Sequence, residues 1–225
     1  IAIIVLIFIY RKFQQRNTLY LNAQRLNTID PITQAQGYRA FIQRISTLKH
    51  TESKTLALVN INKLNNIDIQ LGLTESVVLM QHFNSQFCKH LDTEVFIIRS
   101  GLIACYFDKQ YDAENILHAV IECLKQLQET QFTIPNFASL SAVQHASIGH
   151  INLPLLSNPD ASISAELQFE TLQFALAAAM EITEQPAYVS LRPLNFAPAA
   201  VFMRPLYLNL TQALNRGIIR AESNR

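Results

Sequence analysis

VFIIRSGLIACYF, residues 95–107, is the stretch that decides the fold. Two apolar runs, Val95-Phe96-Ile97-Ile98 and Leu102-Ile103-Ala104-Cys105-Tyr106-Phe107, flank Arg99-Ser100-Gly101. That spacing, with glycine closing the gap, predicts a β-hairpin whose turn uses a backbone conformation glycine tolerates best. Helical patterns lie on either side. From Thr74 to Leu91 the residues Val77, Val78, Met80, Phe83 and Phe87 recur at helical spacing, and from Asp112 to Glu129 so do Ile116, Leu117, Val120, Ile121, Leu124 and Leu127. A hairpin set among helices predicts an α+β fold: an antiparallel central sheet with flanking helices.

Working outward, Lys54 to Asn62 reads as a buried strand because Leu56-Ala57-Leu58-Val59 is a short apolar run that Ile61 continues. A helix from Pro31 to about Lys49 precedes it, carrying Phe41, Ile42, Ile45 and Leu48, and Asn65 to Gly72 predicts a short helix after it. A strand is expected within Leu140 to Leu153, an Ala-rich helix over Ser162 to Ile182, and a last strand at Ala187 to Leu191. Pro193, Pro198 and Pro205 punctuate the tail, and Leu206 to Ile219 predicts one more amphipathic helix ending near Gly217, which either covers the sheet or leads onward. Core packing accounts for every one of these apolar stripes.

The N-terminal end differs in character. Ile1 to Tyr10 is almost wholly aliphatic and aromatic, and Arg11, Lys12 and Arg16 follow at once. Ten residues do not cross a bilayer, which needs about 20. We read the run as the end of a membrane span and the basic cluster as its cytoplasmic flank. A cleaved signal peptide would place its charges before the apolar run; a buried core helix is the remaining alternative. Leu19, Ala23 and Leu26 continue the helical pattern until Thr28-Ile29-Asp30-Pro31 breaks it. The expected organisation is residues 1–27 as membrane end and linker helix, 28–203 as the domain, and 204–225 as a C-terminal helix and tail. The domain is expected on the cytoplasmic side of a membrane, contacting it through the N-terminal helix.

Composition narrows the function. Lys and Arg number 18 against 17 Asp and Glu, so no global field recruits nucleic acid. The three cysteines, Cys88, Cys105 and Cys123, lie in apolar surroundings without Cys-x-x-Cys spacing, which suits a reducing compartment. Six histidines, His50, His82, His90, His118, His145 and His150, include no i, i+4 pair for a helical metal site. Five glycines leave no glycine-rich phosphate loop, and no Gly-x-Ser-x-Gly suggests a serine nucleophile. No cofactor or metal is expected.

Four strings in order resemble the GGDEF family, whose members condense two GTP molecules into cyclic di-GMP at a dimer interface. Asp30-Pro31-Ile32-Thr33, with Arg39 and Phe41 beyond, is similar to the family's opening Asp-x-Leu-Thr-Gly-Leu-x-Asn-Arg-x-x-Phe; Gln34, Ala35, Gly37 and Tyr38 depart from it. Val59-Asn60-Ile61-Asn62-Lys63-Leu64-Asn65-Asn66-Ile67-Asp68, then Gly72, stands where the family has Asp-Ile-Asp-x-Phe-Lys-x-Ile-Asn-Asp. Arg99-Ser100-Gly101-Leu102-Ile103-Ala104-Cys105 stands at Arg-x-Gly-Gly-Asp/Glu-Glu-Phe. Ser147-Ile148-Gly149, and Ala175-Leu176 with Ala179, match the late strand and helix. The resemblance covers about Thr28 to Leu191 and implies the nucleotide-cyclase palm, a ferredoxin-like fold.

The departures fall on the chemistry. Cyclisation needs divalent metal held by hard anionic oxygens against the triphosphate. The resemblance puts those ligands at Asn60, an amide, and at Ile103 and Ala104, which have no side-chain oxygen. Leu102 replaces the second glycine, leaving Gly101 alone, and Cys105 replaces the phenylalanine. The implied guanine contacts fall on Asp68 and Val77, and the phosphate-contacting lysine on Met180. The product-inhibition motif falls on Asp92 to Val95, which has neither of its partners. The expectation is a degenerate GGDEF-like module without catalytic residues, relaying a membrane or sensor signal in a cyclic di-GMP pathway by homodimerisation or contact with a partner signalling protein. A GTP or cyclic di-GMP receptor without turnover is one alternative; an unrelated membrane-tethered α+β scaffold is another.

Overall fold

A computed structural model of the chain describes residues 36–48, 52–61, 64, 69, 72–129, 146–156, 158, 162–194 and 197–224. The expected membrane end and linker at 1–27, the Asp30-to-Thr33 string, most of the short helix expected over 65–72, and Asp68 with it lie outside the described residues.

Along the chain run α1 (Tyr38–Ser46), β1 (Lys54–Ile61), α2 (Leu73–His90), β2 (Glu94–Arg99), β3 (Leu102–Phe107), α3 (Ala113–Glu129), β4 (Ala146–Leu153), α4 (Ala165–Glu181), β5 (Ala187–Pro193), a 3₁₀ turn (Ala199–Phe202), α5 (Leu206–Asn215) and β6 (Ile219–Ser223). The strands form one six-stranded sheet in the order β2-β3-β1-β4-β5-β6. Every pair is antiparallel except β4 with β5, which runs parallel. The sheet is therefore mixed, which corrects the expectation of an antiparallel one. The reason is the connection: α4 crosses over between β4 and β5, returning the chain to the end where β4 began.

β1 and β3 read as unbroken apolar runs because both faces of the sheet are covered. Leu56, Leu58, Ala104 and Tyr106 point into a core shared with Phe41 and Ile45 of α1, Leu172 and Ala175 of α4, and Leu206 and Leu210 of α5. Ala57, Val59, Ile103 and Cys105 point the other way, against Phe83 and Phe87 of α2 and Ile116 and Val120 of α3. At about 25 cal/mol per Å² of apolar surface, two such layers dominate the folding free energy. Arg44 fixes α1 to the sheet at the rim, pairing with Glu94 at 2.8 Å while its guanidinium lies 4.0 Å from the centre of the Tyr106 ring.

Helix ends follow local chemistry. Ser164 caps α4 by accepting a hydrogen bond from the Leu167 N–H. α5 stops at Asn215 because Gly217 takes φ 68°, so that Ile218 N–H donates to Ala213 C=O and Gly217 N–H to Leu214 C=O. That closure leaves the chain free to turn into β6, a strand not expected from the sequence, which pairs with β5.

Candidate functional site

The end of the sheet where β1 finishes and β4 starts gathers the signature positions. Asn60 is 1% exposed and sits opposite Leu102 on one side and Ser147 on the other. Its Nδ2 donates to the Met180 Sδ at 3.7 Å, a soft acceptor reached from the last turn of α4. The hairpin turn is strapped to this end by the Ile61 N–H, which donates to Gly101 C=O at 2.7 Å, and Gly101 has φ 73°. Asn60, Gly101, Leu102 and Met180 are thus brought together.

The rest of the hairpin is not turned toward them. Ile103 and Ala104 are fully buried on opposite faces of the sheet, Ile103 among the α2 and α3 side chains and Ala104 opposite Leu58 and Phe96. Cys105 is buried beside them, and burial holds its thiol well above the usual range, which disfavours the thiolate. Val77 is half-buried on α2, and Met180 is 48% exposed. Among the described residues no group of three or more His, Cys, Asp or Glu could hold a metal ion.

The remaining polar groups at this end hold backbone. Ser147 hydroxyl donates to Gln185 Oε1 at 3.1 Å, and Gln185 Nε2 donates to Ala179 C=O at 3.0 Å and Ile182 C=O at 2.8 Å. Those carbonyls lie at the end of α4: Ala179 C=O also accepts from the Ile182 N–H at 3.3 Å, so Gln185 adds a second donor there and supplies one to Ile182 C=O. Sequence reasoning missed this glutamine, although a side-chain donor just past a helix end is the kind of signal that reveals a cap.

It also missed the role of His150. This residue is wholly buried in β4, with Nδ1 2.8 Å from the Ser190 hydroxyl and Nε2 2.9 Å from Tyr111 C=O. A carbonyl can only accept, so Nε2 carries the proton and Nδ1 accepts from Ser190. Burial pushes its pKa from 6.5 down to about 4; the Tyr111 carbonyl opposes that shift and nearby Arg192 adds to it. Above pH 6.5 both folded and unfolded histidine are neutral, and stability is complete. As pH falls toward 4 the unfolded chain takes up a proton that the folded chain refuses, and stability drains away. The expected loss between those limits is about 3 kcal/mol. Urea unfolding followed from pH 7 to pH 4 checks it: the acid slope should be shallower in His150→Gln than in the parent, and equal slopes would disprove the assignment.

A cleft of about 310 Å³ at the opposite end of the sheet is lined by Leu48, Leu153, Pro154 and Gln168.

No sequence-family profile matches the chain, and no curated protein sequence matches it. Solved structures do. The apo S helix-GGDEF-EAL portion of LapD from Vibrio cholerae matches with a TM-score of 0.56 at 12% identity, over 92% of this chain and 46% of that one. A diguanylate cyclase/phosphodiesterase from Caldicellulosiruptor saccharolyticus matches with a TM-score of 0.54 at 15% identity, over 77% of this chain and 98% of that one. The coiled coil and GGDEF domain of DgcB from Caulobacter crescentus, in complex with c-di-GMP, matches with a TM-score of 0.51 at 13% identity, over 80% and 94%. The chain has a GGDEF-like fold. Since it spans under half of the LapD chain, it corresponds to a portion of that protein. Identity this low carries the GGDEF-like fold and not the chemistry, which has to be argued from the residues at the end of β1 and in the hairpin.

Proposed function

We propose that this chain is a non-catalytic GGDEF-like module that relays a signal in a cyclic di-GMP pathway by dimerisation or contact with a partner protein. One observation carries the reading. At the positions where the resemblance puts metal-binding carboxylates, Ile103 and Ala104 are fully buried hydrocarbon and Asn60 is a neutral amide engaged by Met180. A divalent ion bridging triphosphate oxygens needs anionic oxygen ligands, and a single amide supplies no charge to offset the phosphates. Drift toward apolar residues also removes the repulsion and desolvation of carboxylates held close together.

We further infer a membrane-proximal setting, from the apolar Ile1 to Tyr10 run and the basic residues Arg11, Lys12 and Arg16 after it. Among the described residues no helix is long and apolar enough to cross a membrane. Recovery of the full chain in the membrane pellet after a carbonate wash is the expected result, and recovery in the soluble fraction would count against the anchor.

The test of the main reading is turnover. Purified chain incubated with GTP and Mg²⁺ is expected to yield no cyclic di-GMP above a protein-free blank, by chromatographic assay. Sustained production would refute it. Calorimetric titration with GTP and with cyclic di-GMP is expected to give no heat of specific binding; a micromolar dissociation constant would recast the module as a receptor.

A further inference from the structure

We infer that β6 is a self-complementary edge through which two copies of this chain pair, joining their sheets antiparallel about Ala221. The inference rests on the relay reading for its role and deepens it by naming the dimer surface. Strand β6 closes one side of the sheet, pairing with β5 through Val189↔Ser223, Ser190↔Glu222, Leu191↔Ala221, Arg192↔Arg220 and Pro193↔Ile219. No described strand lies on its other side. An open edge presents unpaired backbone N–H and C=O groups, and proteins usually blunt it with charged side chains, proline, a bulge or a very short strand.

β6 has no proline and no register shift against β5, and its two exposed charges are of opposite sign, so they oppose a like-charged strand but not a second copy in reverse. Arg220, Ala221 and Glu222 are exposed, and the strand is held straight to its end by Asn224, whose Oδ1 accepts from the Tyr188 N–H and whose Nδ2 donates to Pro186 C=O. Side chains alternate across a strand, so Arg220 and Glu222 share one face and the small Ala221 takes the other. With the two-fold axis at Ala221, each Arg220 faces Glu222 of the second copy, and each Glu222 faces its Arg220. Moving the axis one residue either way sets Arg220 against Arg220 or Glu222 against Glu222. Charge therefore selects the occupant, a second copy, and the register. Glu222 already pairs with Arg192 at 3.0 Å, so Arg220 of the second copy would join that pair as a second cation, while Arg220 itself makes no ion pair among the described residues.

Strands of five residues bury little surface, so the contact is weak unless concentrated. A covalent readout suits it. In the full chain with Cys88, the exposed cysteine, replaced by serine, Ala221→Cys is expected to form a covalent dimer with a short bis-maleimide, because opposed Cβ atoms lie about 4.5–5.5 Å apart. Lys125→Cys, exposed on α3, should stay monomeric. Arg220→Glu should weaken self-association about tenfold in sedimentation velocity, and Arg220→Glu combined with Glu222→Arg should restore it. Failure of Ala221→Cys to cross-link, equal cross-linking at Lys125→Cys, or no recovery in the double variant overturns the inference. None of these outcomes bears on GTP turnover, and turnover would leave the edge pairing untouched, so the two readings fail separately.

Discussion

Replacing Gly149 by alanine is expected to destabilise the fold by about 3 kcal/mol, toward the upper end of the cost of overpacking. A methyl group at this position would lie 2.5 Å from Leu172 C=O, 2.5 Å from the Leu176 backbone N and 2.9 Å from the Leu176 Cα. All three are backbone atoms of α4, so no rotamer change relieves the contact and the helix itself must lift from the sheet. That helix contributes Leu172, Ala175, Leu176 and Ala179 to the core on this face, and its displacement loosens the whole layer. The informative control is Gly217→Ala, where nothing lies within 4 Å and the only cost is a left-handed backbone at φ +68°. That cost is about 1 kcal/mol, carried by dihedral strain alone. Urea midpoints for the two variants separate the cases, and a Gly149→Ala midpoint no lower than that of Gly217→Ala would refute the close-approach argument.

The Ser147-Ile148-Gly149 string thus has a physical meaning that the letters alone do not give. What the sequence made legible were elements whose signal is local. The hairpin followed from two apolar runs around Gly101, and α3 from a long stripe at one period. The parallel pairing of β4 with β5 was not legible, because strand direction is settled by the crossover and not by either strand's own residues. β6 was hidden for the opposite reason. IRAES has no apolar pattern, and its stability comes from β5 and from the Asn224 clamp, so its signal is tertiary. The site divides in the same way. That Ile103 and Ala104 lack oxygen could be read from the letters. That the Asn60 amide spends a donor on Met180, 120 residues away, could not. The same holds for His150, whose partners Tyr111 and Ser190 lie 39 and 40 residues off in the chain.

The second large effect concerns repair of the hairpin. If the module were a cyclase disabled by one lost acid, Ala104→Glu would restore a ligand at modest cost in stability. The packing predicts otherwise. Ala104 is fully buried between Leu58 and Phe96, in the core that holds Phe41 and Ile45. A glutamate there must displace that packing and lose its hydration, since the neighbouring side chains are hydrocarbon. The expected penalty is at least about 4 kcal/mol at pH 7, enough to unfold much of a marginally stable domain. The direction of its pH dependence identifies the cause. Burial raises the folded pKa of the new carboxyl above its unfolded value of about 4.3, so the folded state holds the proton over that interval. Stability of the variant relative to the parent should therefore recover as pH falls from 7 toward 4, the reverse of the His150 effect. Circular dichroism with urea titration at both pH values, read beside a cyclase assay, makes the distinction. A variant as stable as the parent at pH 7 would mean that this position opens to solvent, and the account of a hairpin converted to core would fail with it.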